Sequence, residues 1–172
     1  MTVAIFGGTF NPIHNGHLIV AREVLEGLGL SEVIFVPAGR PWMRKGEELE
    51  APEDRLRMVD LAIREDKDFR SSSVEIDREG ETYTIDTLRG FPIGNGLPVV
   101  IVGADALADL PNWKEAAEVA ERARIAAVGR PGTDMEAVVD VVRERVPGLQ
   151  VEVVHAVPVG VSATQIRGRL RK

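Results

Sequence analysis

The 172-residue chain is 44% apolar, 28% charged and 5% aromatic, an ordinary globular composition at a length that buries a core without disulfides or metals to hold it together. It contains no cysteine, which excludes disulfides, thiolate nucleophiles and sulfur-ligated zinc. Its 21 basic and 27 acidic residues sum to −6, which argues against a broad nucleic-acid or anionic-lipid surface, so any phosphate must be bound locally.

No Lys or Arg precedes Arg22 and no apolar run exceeds four residues. The chain therefore reads as having neither a signal peptide nor a membrane span, and a cytoplasmic location is expected. The charge is uneven. Glu47, Glu48, Glu50, Glu53 and Asp54 crowd one stretch, whereas Arg167, Arg169, Arg171 and Lys172 end the sequence unopposed.

In chain order, Val3 to Phe6 is a short apolar strand ending at Gly7-Gly8. Leu18, Ala21, Val24-Leu25 and Leu28 then follow at helical spacing. A second strand, Val33 to Val36, completes a strand–helix–strand unit of a parallel sheet. Glu53-Asp54 favour a helix start ahead of Leu56, Met58-Val59 and Leu61 to Ile63. Val74-Glu75-Ile76 reads as a short strand, Thr84 to Leu88 as the opening of a helix and Gly94-Asn95-Gly96 as a turn. Val99 to Val102 is the best candidate for a strand buried on both faces. Asn112 to Arg122 reads as a helix, Ile125 to Val128 as a strand and Met135 to Val146 as a helix despite its valines. Val151 to Val157 is the last strand and Ser162 to Leu170 the last helix. Alternating strands and helices with no repeat and no linker predict a doubly wound α/β domain.

The segment from Gly7 to His17, with Gly7, Gly8, Thr9 and Phe10 followed by Pro12, His14, Gly16 and His17, falls where such a sheet binds ligands, between its first strand and the next helix. Glycines let backbone N–H groups approach an anion, a helix start adds free donors, and two imidazoles three residues apart can donate to phosphate or move protons. A tight turn with two surface histidines is the plainer alternative. The segment lacks the Gly-Lys-Ser/Thr of a Walker A loop, and Gly94 and Gly96 lack the third glycine of a dinucleotide fingerprint. Ser162 and Thr164 suit a helix cap and, with Arg167 one turn on, also suit phosphate. His155, between Val154 and Ala156, reads as a structural histidine in a strand.

Gly7 to His17 resembles the HxGH signature of the nucleotidyltransferase superfamily, in the form GGTFxPxHxGH found in bacterial nicotinate-nucleotide adenylyltransferases. Four further segments resemble that family in order. Pro41-Trp42-Met43-Arg44-Lys45 stands at its PPHK-like loop, and Thr82 to Leu88 at its YTxDTL segment. Gly103-Ala104-Asp105 with Trp113 stands at its GxD and downstream tryptophan, and Val161 to Arg167 at its ISSTxIR helix start. Trp42-Met43-Arg44 departs from the usual proline and histidine, and Ala163 replaces a motif serine.

The resemblance implies a single Rossmann-like domain over residues 1–172, with a mostly parallel sheet and helices on both faces. It implies an enzyme that transfers the adenylyl group of ATP to nicotinate mononucleotide, giving deamido-NAD and pyrophosphate. His14, His17, Lys45 and Arg167 become the catalytic residues. Gly7, Gly8, Thr9, Phe10, Gly103, Asp105, Ser162 and Thr164 join the two histidines and Arg167 around ATP, and Lys45, Tyr83, Thr84 and Trp113 hold the mononucleotide. Mg2+ is expected to ride on the ATP phosphates, because no carboxylate cluster has ligand spacing. No protein-held metal, nucleic acid or membrane partner is expected, and self-association is left open. The rival readings are a transferase with another acceptor, such as nicotinamide mononucleotide or phosphopantetheine, and a non-catalytic nucleotide-binding module.

Overall fold

The computed structural model describes residues 2–41, 46–91, 96–129, 132–157 and 159–170. Six strands form one sheet: β1 (Val3–Gly8), β2 (Glu32–Pro37), β3 (Phe69–Ser71), β4 (Val99–Gly103), β5 (Arg124–Val128) and β6 (Val151–Val154), in the order β3-β2-β1-β4-β5-β6. Every pairing is parallel. The helices are α1 (Asn15–Gly27), α2 (Pro52–Ile63), α3 (Thr84–Gly90), α4 (Ala104–Asp109), α5 (Ala116–Arg122), α6 (Met135–Arg145) and α7 (Ala163–Leu170), with a 3-10 turn at Leu110–Asn112.

Alternate residues of each strand point to opposite faces, and two cores result. Ala4, Val33, Phe35, Val99, Ile101 and Ala126 pack with Ala21 and Val24 of α1 and Val59 and Ile63 of α2. Ile5, Ile34, Val36, Val100, Val102 and Ile125 pack on the other face with Ile85 and Leu88 of α3, Leu107 of α4, Val119 of α5 and Val139 of α6. The valine-rich stretch is helical because Met135, Val139 and Val142 share one buried stripe, and Asp134 caps it by accepting from the Ala137 N–H at 3.1 Å.

Several boundaries differ from expectation. The third strand is Phe69–Ser71, an edge strand paired to β2, whereas Val74 to Ile76 forms a turn in which the N–H groups of Ile76 and Asp77 both donate to the Ser73 carbonyl. The helix expected from Asn112 starts at Ala116, so Trp113 stands in extended backbone between the 3-10 turn and α5. Asp105 lies in the first turn of α4, a helix not among the elements expected from the sequence. The last strand ends at Val154, and His155 is exposed just beyond it rather than packed within a strand.

The strand order reverses between β1 and β4. These two strands pair only at Ala4 with Val99 and Ile5 with Val100. Beyond that point Phe6 to Gly8 and Ile101 to Gly103 diverge at their carboxyl ends, which is where an open α/β sheet leaves a ligand crevice.

Candidate active site

A cleft of about 310 Å³ opens at this divergence. Gly7, Gly8 and Thr9 line it from β1 and Gly103 from β4; Tyr83 and Thr84 line it from the start of α3, and Trp113 and Lys114 from the approach to α5. These segments carry three of the sequence motifs. The indole Nε1 of Trp113 is buried and has no hydrogen-bond partner among the described residues. A buried donor left without a partner in a cleft wall is a place where a ligand or water can bind.

His14 and His17 stand at the start of α1, after the glycine loop, and are not among the residues that line the cleft. His14 is the N-cap residue in extended backbone, and its N–H donates to Nδ1 of His17 at 3.2 Å. The two rings stack with centroids 3.8 Å apart. Gly16 permits this, because a Cβ there would come within 3.0 Å of the His14 ring. The His17 ring also meets Phe10 edge-on at 5.1 Å. Burial, aided by the neighbouring His14, pushes the His17 pKa down to about 4, and burial pushes that of His14 in the same direction. The His14 Nδ1 atom is buried without a partner among the described residues.

Phe10 itself lies beneath the site. It is 2% exposed in a left-handed conformation (φ 47°) and packs against Phe6 and Phe35. Its ring therefore anchors the loop from inside the core.

The last turn of α7 reaches the same loop through Arg167. Arg167 donates through Nη1 to the Asn11 carbonyl and through Nη2 to Thr164 Oγ1 at 3.4 Å. Ser162 Oγ accepts from the Gln165 N–H at 3.3 Å while Gln165 Oε1 accepts from the Ser162 N–H at 3.0 Å, a complete capping box. The capping reading of Ser162 is thus realised, and its hydroxyl proton is left to donate elsewhere. Lys45 lies outside the described residues.

Two buried ionisable residues escaped the sequence reading. Arg55 of α2 is 1% exposed. It donates to the carbonyls of Thr9 (2.6 Å), Ala38 (2.6 Å), Gly39 (3.2 Å) and Glu50 (3.1 Å), tying the glycine loop to the exit of β2. Glu75 lines the cleft and accepts from Thr87 Oγ1 at 2.6 Å. Burial pushes its carboxyl up from the ordinary range, opposed by Thr87, the Arg78 guanidinium and Thr82. In the sequence Arg55 looks like one more charge on an acidic helix start and Glu75 like the outward residue of a strand, so neither carried a signal.

An exposed charge network fixes the far wall. Lys114 Nζ meets Asp86 Oδ2 at 2.9 Å and lies 4.7 Å above the Tyr83 ring, while Arg89 reaches Glu115 and Glu118. Such surface pairs contribute little stability singly. Together they hold α3 beside Trp113.

The cytidylyltransferase-like family model matches residues 5–169. The chain belongs to the cytidylyltransferase-like family. Among relatives of this cytidylyltransferase-like chain, a protein of Salinispora arenicola named "Probable nicotinate-nucleotide adenylyltransferase" is 41% identical over 169 residues, covering 96% of this chain and 87% of that one. A protein of Frankia alni with the same name is 41% identical over 167 residues, covering 95% and 85%. Among solved structures, Plasmodium falciparum nicotinic acid mononucleotide adenylyltransferase complexed with NaAD superposes with a TM-score of 0.77 at 18% identity, covering 97% of this chain and 82% of that one. At that identity the likeness speaks for the cytidylyltransferase-like fold alone.

Proposed function

We infer that the protein transfers the adenylyl group of ATP to nicotinate mononucleotide, releasing pyrophosphate and forming nicotinate adenine dinucleotide for NAD biosynthesis. The observation that carries this reading is the convergence of the glycine loop, Tyr83-Thr84 and Trp113 on one cleft at the point where the strand order reverses. The names of relatives about 40% identical over nearly the whole chain support it.

The chemistry needs no enzyme nucleophile. An oxygen of the mononucleotide phosphate attacks the α-phosphorus of ATP in line, the bond to the bridging oxygen breaks, and pyrophosphate leaves. Catalysis then reduces to positioning two anions and stabilising charge as it spreads over phosphoryl oxygens. His17 suits this as a neutral donor: its Nδ1 accepts from the His14 N–H, so the ring proton sits on Nε2. His14 donates beside it, with the backbone of Gly7, Gly8 and Thr9 and the start of α1 adding N–H groups. Arg167, Ser162 and Thr164 bind the ATP phosphates from α7, with Lys45 joining from the loop after β2, and Gly103 and Asp105 hold the nucleoside.

Trp113 faces the pyridine ring and Thr84 bonds its carboxylate, Tyr83 lying alongside. Among the described residues no group of three or more His, Asp or Glu side chains could hold a metal. Mg2+ is assigned to the ATP phosphates in this reading.

The family match across residues 5–169 and the single six-stranded sheet support reading the chain as one nucleotidyltransferase domain. A cytoplasmic location belongs to the same proposal; among the described residues no helix is long and apolar enough to cross a membrane. Incubation with MgATP and each pyridine mononucleotide, reading dinucleotide and pyrophosphate, tests the reading. It fails if neither mononucleotide is turned over.

A further inference from the structure

We propose that Glu75 is a positioning residue for the acceptor, holding Thr82 and Thr87 and through them the Tyr83-Thr84 segment at the start of α3. The proposal rests on the nicotinate mononucleotide reading above.

Glu75 is 8% exposed, yet it lines the cleft together with the segment it braces. Its carboxyl takes the hydroxyl of Thr87 at 2.6 Å and also engages Thr82. These two residues flank Tyr83-Thr84 in the chain, so one carboxyl holds both sides of the segment that faces the acceptor. Arg78 closes the arrangement by donating to Thr87 Oγ1 at 3.4 Å and to the Asp86 carbonyl at 3.1 Å.

The other side of Glu75 is fixed as firmly. A Cβ at Gly39 would sit 2.2 Å from the Glu75 carbonyl oxygen, so the turn carrying Glu75 lies directly against the exit of β2. Thr82 bridges to Pro41 in parallel, and its N–H donates to the Arg40 carbonyl at 3.1 Å. The Tyr83-Thr84 segment is therefore referenced to β2 through Glu75 and through its own backbone.

Packing alone does not call for a carboxyl here. An apolar side chain of similar volume avoids the cost of taking a carboxyl out of water. What only a multiple acceptor can do is hold two hydroxyls on either side of a binding segment. A purely structural brace would change stability and leave the two substrates equally affected. A positioning residue would instead separate them, because the phosphate-binding loop and α7 are held by Arg55 and Arg167.

The experiment is steady-state kinetics of wild-type protein, Glu75→Ala and Glu75→Gln, varying ATP and nicotinate mononucleotide in turn. Glu75→Ala is expected to raise the mononucleotide KM about tenfold while the ATP KM moves less than about twofold. Glu75→Gln, which keeps a carbonyl acceptor, is expected to recover most of the loss. If Glu75→Ala does not fold, Thr87→Val removes one bond in a similar volume and is expected to raise the same KM. Parallel changes in both KM values, or none, would overturn the role of Glu75. A wild-type protein that turns over no acceptor would remove it together with the proposed function, whereas wild-type turnover with an unselective variant removes Glu75 alone.

Discussion

The N–H of His14 donates to Nδ1 of His17 across 3.2 Å, so the helix start itself sets which nitrogen of His17 carries the proton. An imidazole fixed in this tautomer is a directed Nε2–H donor at neutral pH, poised for a phosphoryl oxygen without first being protonated. The same bond makes His17 part of the N-terminal turn of α1. The observed structural role and the proposed chemical one coincide in one side chain.

The His17 ring should titrate near 4, displaced from 6.5 by burial and then by the neighbouring His14. The unfolded chain takes up a proton at about 6.5 and the folded one does not, so the stability contributed by neutral His17 is complete above pH 6.5 and is lost as pH falls toward 4. That loss is on the order of 3 kcal/mol. Nuclear magnetic resonance of the ring nitrogens against pH, with chemical denaturation over the same window, checks both the tautomer and the slope. His17→Asn should flatten part of that slope.

Removing the His17 donor should lower turnover at saturating ATP by about 10²–10³, the usual effect of losing one donor to a transition-state oxyanion. Wild-type turnover in His17→Ala would remove His17 from the catalytic set.

Trp113→Ala should raise the KM for the mononucleotide by about tenfold through lost stacking, with a smaller effect on ATP. Trp113→Phe keeps a ring but deletes the Nε1–H, which has no partner among the described residues. Its KM should lie between those of the alanine variant and the wild type.

Arg55→Met should strand the carbonyls of Thr9, Ala38, Gly39 and Glu50. A loss of roughly 3 kcal/mol is expected, which for a chain of this size lowers the melting temperature by about 10 °C. Arg55→Lys should restore part of it. An unchanged melting temperature in Arg55→Met would show that those carbonyls find other partners.

The sequence was most readable where burial is symmetrical. β1, β2, β4 and β5 are apolar runs covered on both faces, and their residues alternate between the two cores. The edge strand Phe69–Ser71 was missed because it is three residues long and only Phe69 is buried. The alternation of Val74-Glu75-Ile76 misled for a physical reason: the buried residue is the carboxylic acid, held by hydroxyls and not by apolar contacts. In the site, motif residues on the glycine loop and at the starts of α3 and α7 were legible as residue types with known chemistry. Arg55 and Glu75 were not, since their partners are carbonyls and hydroxyls outside their own helix or turn, and only folding brings them together.

The most direct test of the account compares kcat/KM for nicotinate mononucleotide and nicotinamide mononucleotide, with pyrophosphate measured alongside the dinucleotide. One pyrophosphate per dinucleotide is expected, with a preference of about tenfold or more for the acid, because the carboxylate contacts proposed for Thr84 favour it over a neutral amide. Equal or better use of the amide would contradict the acceptor assignment. Turnover of neither would contradict adenylyl transfer to a pyridine mononucleotide altogether.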